Sequence, residues 1–270
     1  MTGSLTGRVA LVTGGGRGQG RSHAVTLARA GADIVACDVA MELPTIPYGQ
    51  STPEELARTA EAVRQAGHRC LSVVADVRDL RAMEDLVARG TAELGRIDIV
   101  CANAGVISFG QSWQLTEPQW DEVLDTNLKG AWTTCRAAVP GMIDAGRGGA
   151  IVLTTSTAGL KGFGGIAHYS ASKHGLIGLA RTMAIELAPY KIRVNCVEPG
   201  GVRTPVGTSE AIQGHLSAEP EAARALTNLL PDVDLVEPED VSAAVAWLVS
   251  DAARHVTGVV LPIDAGVQLR

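Results

Sequence analysis

Seven apolar runs of strand length, separated by longer stretches in which apolar residues recur every 3.6 positions, leave this chain few ways to fold. Such alternation builds βαβ units, whose strands run parallel and whose crossover helices cover the sheet. The predicted strands are 8–13, 33–38, 70–75, 97–102, 149–155, 192–198 and 258–262. Helices are predicted near 19–30, 53–66, 80–94, 117–145, 168–188 and 239–249. No linker interrupts the series, so residues 1–270 are expected to form one doubly wound α/β domain, with a seven-stranded parallel sheet and helices on both faces.

Composition narrows the function classes. At 46% hydrophobic and 19% charged residues the chain can bury a substantial core. The net charge of -6, without a block of five like charges, supplies no basic face for DNA or RNA, so no nucleic acid partner is expected. No 18 consecutive apolar residues occur, and Val9 to Val12 is too short for a signal-peptide core, which predicts a cytoplasmic protein without a membrane role. Cysteines 37, 70, 101, 135 and 196 form no C-x-x-C pair and no Cys/His cluster at zinc spacing. They read as buried thiols in a reducing compartment, and no metal site is expected.

Two stretches break the strand–helix rhythm. Residues 39–52 (VAMELPTIPYGQST) are longer than an ordinary connection after a strand, and 199–238 open with PGGVRTPVG and leave room for at most two short helices. Loops of this length in a compact domain commonly carry function.

Directly after the first strand comes Thr13-Gly14-Gly15-Gly16-Arg17-Gly18-Gln19-Gly20, followed by a helical pattern. Glycines let a ligand approach the backbone, and free N–H groups at a helix start favour a pyrophosphate. A tight turn without a ligand would have the same glycines. Asp38 argues against that, because it ends the second strand 20 residues beyond Gly18, where a carboxylate meets the adenosine ribose diol of NAD and repels the 2′-phosphate of NADP. Arg17 and Arg21 offset part of that repulsion.

Tyr169-Ser170-Ala171-Ser172-Lys173 opens a helical segment, and its i, i+4 spacing puts phenol and ammonium on one face. A phenol with pKa near 10 needs a neighbouring positive charge to work as a base near neutrality. Tyr169 would then take a proton from a hydroxyl, or give one to a carbonyl in reverse. Only three tyrosines and four lysines occur, and Ser156 lies 13 residues upstream, past the fifth strand, facing the same crevice.

Together these segments resemble the short-chain dehydrogenase/reductase family over essentially the whole chain. The glycine spacing G-x-x-x-G-x-G, Asp76-Val77, Asn103-Ala104-Gly105, Ser156 and Tyr169-x-x-x-Lys173 carry the resemblance. It implies a Rossmann domain whose Gly14, Arg17, Gly18, Gln19 and Gly20 hold the pyrophosphate and whose Asp76 and Val77 meet the adenine. It also implies an Asn-Ser-Tyr-Lys tetrad: Asn127 holding a relay water, Ser156 stabilising the substrate oxygen, Tyr169 moving the proton, and Lys173 binding the nicotinamide ribose and lowering the Tyr169 pKa. Pro199, Gly200, Val202 and Thr204 match the segment that holds the nicotinamide carboxamide. His168, with no acidic orienter in view, reads as a polar residue at the helix start. Gln19, where an apolar residue is usual, and Gly201, which would loosen its segment, depart from the pattern. The 39–52 insertion is similar to that of an actinobacterial subgroup, carveol dehydrogenases among them, associated with the redox cofactor mycofactocin. In that subgroup NAD stays bound under the insertion and electrons leave to an external carrier.

Phe109 and Phe163, the two phenylalanines, follow strands that open on the crevice. With Ile107, Trp113, Leu160 and Val206 they predict an apolar wall, suited to a secondary alcohol or ketone on an apolar, cyclic or terpenoid, skeleton rather than a sugar or a carboxylic acid. Three readings follow: an NAD-dependent alcohol dehydrogenase with exchanging cofactor, the same enzyme with captive NAD and an external redox carrier, or a non-catalytic NAD-binding module. The resemblance further implies a homotetramer built on 117–145, 168–188 and 258–262.

Overall fold

A computed structural model describes residues 4–270; Met1 to Gly3 of the N-terminal stretch lie outside the described residues. Its sheet consists of β1 (Val9–Thr13), β2 (Asp33–Asp38), β3 (Cys70–Val74), β4 (Ile99–Ala102), β5 (Gly149–Thr154), β6 (Ile192–Pro199) and β7 (Val260–Ile263). All neighbours pair in parallel, in the order β3-β2-β1-β4-β5-β6-β7. Strands covered on both faces need no polar alternation, which is why β1 (VALVT) and β4 (IVCA) are continuous buried apolar runs. Chain order reverses between β1 and β4, and the carboxyl ends of those two strands diverge there into a crevice.

One face of the sheet is covered by α1 (Gly18–Arg29), α2 (Pro53–Gln65) and α9 (Pro238–Val249), around Leu27, Ile34, Val63 and Leu248. The other is covered by α3 (Leu80–Leu94), α5 (Gly130–Asp144) and α6 (Ala167–Leu187), around Met83, Met142, Ile151 and Leu176. The helix starts are written locally. Thr52 and Thr116 each form a reciprocal capping box, with Glu55 and Gln119, and Pro53 and Pro118 sit in first turns where the missing N–H costs nothing.

The single helix expected over 117–145 is in fact three pieces. A first helix, α4 (Glu117–Leu124), passes into a π-turn over Asp125–Lys129 before α5 resumes. Side-chain periodicity barely changes across one wide turn, so the sequence pattern could not reveal it. In the 199–238 stretch lie two short helices, α7 (Glu210–Ala218) and α8 (Pro220–Ala225). Among the described residues no helix is long and apolar enough to cross a membrane. All five cysteines are free, and burial pushes the thiols of Cys101, Cys135 and Cys196 up to about 12 and that of Cys70 to about 11.

Candidate active site

The crevice at the strand reversal is held open by one asparagine. Asn103 donates its amide to the Thr13 carbonyl (3.0 Å) and accepts from the Thr154 hydroxyl (3.3 Å), while Thr13 Oγ1 accepts the N–H groups of Asn103 and Ala104 (3.1 Å each). The ends of β1, β4 and β5 are thereby fixed together. The space above them is a cleft of about 450 Å³.

Every residue expected to hold the cofactor lines this cleft: Gly14, Arg17, Gly18, Gln19 and Gly20 at its base, then Asp38, Asp76, Val77, Asn103, Ala104 and Gly105. Tyr169 and Lys173 line it too, with Pro199, Gly200, Val202 and Thr204 opposite. The glycine turn leaves no room for side chains, since a Cβ on Gly20 would fall 2.0 Å from the Gly14 carbonyl oxygen. Helix α1 begins without a side-chain cap and without an acidic residue in its first turn, so its leading N–H groups are available to an anion. Beside them Gln19 has a buried side-chain oxygen with no partner among the described residues, an acceptor suited to a ligand's donor. Asp38 Oδ2 accepts the Gly16 N–H (2.9 Å), which aims the carboxylate across the glycine turn, where a ribose diol would lie. This donor and acceptor set fits a dinucleotide.

The 39–52 insertion folds back over the cleft instead of leaving the surface. Leu43 and Ile46 are buried against Val106 and Val123, with Tyr48 and Tyr169 packed on the same cluster. Four hydrogen bonds fasten it: the Ile107 N–H donates to Tyr48 Oη (2.9 Å), Thr45 donates through N–H and hydroxyl to Glu122 Oε2 (2.9 and 2.6 Å), and Arg17 donates to the Gly49 carbonyl. Glu122 in turn accepts from Arg78 (3.1 Å), whose guanidinium also grips Asp76 (2.6 Å). Sequence reasoning missed Glu122 and Arg78. An acid beside Val123 on the inner face of an amphipathic helix was the available signal for the first; Arg78 gave none.

Ser156, Tyr169 and Lys173 meet at the cleft wall beyond. Gly159 lets the turn after Ser156 press on α6, where a Cβ would come 3.1 Å from the Lys173 carbonyl oxygen, and so sets Ser156 over the helix start. The Ser156 hydroxyl accepts the Ala158 N–H (3.2 Å) and lines the cleft together with the Tyr169 phenol. Burial pushes the Tyr169 pKa up, and the Ser156 hydroxyl opposes it. Lys173 Nζ lies 5.4 Å from the Tyr169 ring centre and donates to the Thr154 carbonyl (2.8 Å), and burial brings its pKa down to about 8. Asn127 sits in the π-turn, behind the lining. Its amide is occupied, donating to the Val106 carbonyl (2.9 Å) and Ser172 Oγ (3.1 Å) and accepting the Val106 N–H (2.8 Å), so a water held by Asn127 would need its main chain.

His168 does stand at the start of α6, fully buried and bonded to Ser108 (2.7 Å), and burial lowers its pKa to about 4. Two sequence expectations need correction. Gly201 does not loosen its segment: its carbonyl accepts the Val236 N–H (2.9 Å), and it is small because Leu235 lies 2.8 Å from where a Cβ would be. Of the expected apolar wall, Ile107, Phe163 and Val206 line the cleft, whereas Trp113 and Leu160 are 78% and 49% exposed and Phe109 stacks on His215 at 4.6 Å. Their places are taken by Ile166, Ile212, Leu216, Leu226 and Leu235. Most of these lie in the 199–238 stretch, where short helices gave no clear period.

The match to known proteins covers the same elements. Residues 8–213 match the short chain dehydrogenase family. The chain belongs to that family. This short-chain dehydrogenase is 44% identical to the (-)-trans-carveol dehydrogenase of Rhodococcus erythropolis over 98% of its own length and 99% of the relative's. It is 45% identical to an uncharacterized NAD-dependent oxidoreductase of Mycobacterium tuberculosis, over 98% and 97%. Its backbone superposes on the crystal structure of carveol dehydrogenase from Mycobacterium avium in complex with NAD with a TM-score of 0.94, at 42% identity and full coverage of both chains. A short chain dehydrogenase from Mycobacterium paratuberculosis bound to NAD gives 0.95, at 43% identity, covering 99% of this chain and 100% of that one.

Proposed function

We propose that this short-chain dehydrogenase is an NAD-dependent enzyme interconverting a secondary alcohol and a ketone on an apolar, cyclic or terpenoid, skeleton. The observation that carries the reading is the convergence of Ser156, Tyr169 and Lys173 on the cleft that Asp38 closes at its far end. When bound, NAD supplies the hydride acceptor for alcohol oxidation. Ser156 holds the substrate oxygen, Tyr169 takes its proton, and Lys173 orients the cofactor ribose. Phe163, Ile166, Leu216 and Leu226 exclude water around the carbon skeleton. Steady-state turnover with free NAD and a panel of cyclic alcohols, run beside mass analysis of cofactor retained through purification, tests this. No oxidation of any panel member would reject the substrate class.

Cofactor choice rests on Asp38. Asp38→Ala is expected to weaken NAD binding about 10- to 100-fold, the worth of a charged hydrogen bond, and to narrow the preference over NADP. Titration of both cofactors checks it, and a parent protein that binds NADP more tightly than NAD would refute the assignment.

A second reading is favoured by the fastened insertion: the same chemistry with NAD held captive, electrons leaving to an external carrier of the mycofactocin kind. A strap pinned through Tyr48, Thr45 and Arg17 slows release more than it strengthens encounter.

Assembly as a homotetramer is proposed as well. Trp132 (42% exposed) and Ile185 (77%) on α5 and α6, with Leu128 and Leu179 beside the tryptophan, leave apolar surface on the helices expected to form the interface. Sedimentation should give about four times the 28.0 kDa chain mass, and a monomer at micromolar concentration would contradict it.

A further inference from the structure

The C-terminal turn reaches both walls of the reaction site through one amide. Asp264 shapes the turn, its carboxylate accepting the N–H groups of Gly266 and Gln268 (2.9 Å each). Gln268 Nε2 then donates to the Thr157 carbonyl (3.0 Å) and to Glu198 Oε1. Thr157 directly follows Ser156, and Glu198 directly precedes Pro199 and Gly200. The two N–H donors of one side-chain amide make this bridge. The bridge is braced by Lys161, whose ammonium donates to main-chain oxygens of Ala225 (3.0 Å), Val267 (3.3 Å) and Arg270 (2.9 Å). Glu198 is fully buried with Oε2 unpartnered, so Gln268 is its side chain's hydrogen-bond donor among the described residues. Burial pushes the Glu198 carboxyl up to about 7, the Gln268 amide opposing it and the nearby Asp264 adding to it.

We propose that Gln268 is a positioning residue for the reaction. Its amide sets the register between the Ser156 turn and the Pro199 segment, and through it where the Ser156 hydroxyl stands beside the Tyr169 phenol. This rests on Tyr169 being the proton-transfer group. The test is the pH profile of alcohol oxidation, with rates normalised to bound NAD. Gln268→Leu should lower kcat about tenfold and move the acidic limb of kcat/KM to higher pH by about half a unit to one unit, because the phenol loses the contact that opposes its burial. Glu198→Ala should do the same, while Glu198→Gln, which keeps an acceptor for Gln268, should restore most of the activity and the parental limb. If Gln268→Leu does not fold, Gln268→Asn, which withdraws the amide by one methylene, has the same expectation. A role in stability alone would scale the rate equally at every pH. That outcome, or a Glu198→Gln variant as impaired as Glu198→Ala, overturns the proposal. Tyr169→Phe run alongside separates the failures: an active phenylalanine variant removes the proton-transfer reading and this proposal with it, whereas an inactive one beside an unmoved Gln268→Leu profile rejects the bridge alone.

Discussion

Tyr169→Phe is expected to lower turnover by about 100-fold or more while leaving NAD binding nearly unchanged. The ring packs against the cluster of Leu43, Ile46, Val106 and Val123, so phenylalanine keeps the packing and removes only the hydroxyl. Lys173 keeps its bond to the Thr154 carbonyl, which does not involve the phenol. Loss of proton transfer with retention of cofactor is therefore a clean signature. Turnover within a few-fold of the parent would remove Tyr169 from the mechanism.

The second large effect concerns the strap. Replacing residues 41–50 with a short Gly/Ser connection should convert NAD retained through purification into NAD that exchanges, with dissociation faster by about 100-fold. That factor corresponds to roughly 3 kcal/mol, the scale of exposing one or two buried apolar side chains such as Leu43 and Ile46. Turnover should rise when free NAD is the sole oxidant. Stopped-flow release of the cofactor measures the effect, and an unchanged rate in a folded variant would return the protein to ordinary exchanging chemistry. Tyr48→Phe offers a milder form, since it breaks the bond from Ile107 and keeps the ring in place.

How much of this was legible in the sequence depended on whether the signal was local. All seven strands, and the helices that start at capped or proline-led turns, announced themselves because burial on both faces and capping are written in adjacent residues. The cofactor segment was equally readable, as glycines at fixed spacing and an aspartate at a strand end leave few alternatives. The π-turn around Asn127 was hidden, since it changes backbone hydrogen bonding without changing the apolar pattern. Contacts between residues far apart in the chain were hidden as well: Thr45 with Glu122, Arg78 with Glu122, Gln268 with Thr157. The apolar wall was only half legible, because Trp113 and Leu160 have the right character but face solvent, and the side chains that replace them come mostly from the irregular 199–238 stretch, only Ile212 and Leu216 of them on a short helix.

The five free thiols have a practical consequence. Each lies in a different element: Cys37 in β2, Cys70 in β3, Cys101 in β4, Cys135 in α5 and Cys196 in β6. Alkylating reagents attack the thiolate, and thiols buried in apolar surroundings with raised pKa values offer almost none at neutral pH. Labelling at the four buried ones, Cys37, Cys101, Cys135 and Cys196, thus requires that the surrounding element open first, whereas the half-buried Cys70 at the sheet edge is easier to reach. The protein carries a built-in set of opening reporters, read one peptide at a time by mass, that can distinguish loosening of helix α5 at Cys135 from rupture of the sheet centre at Cys101 without a single introduced probe.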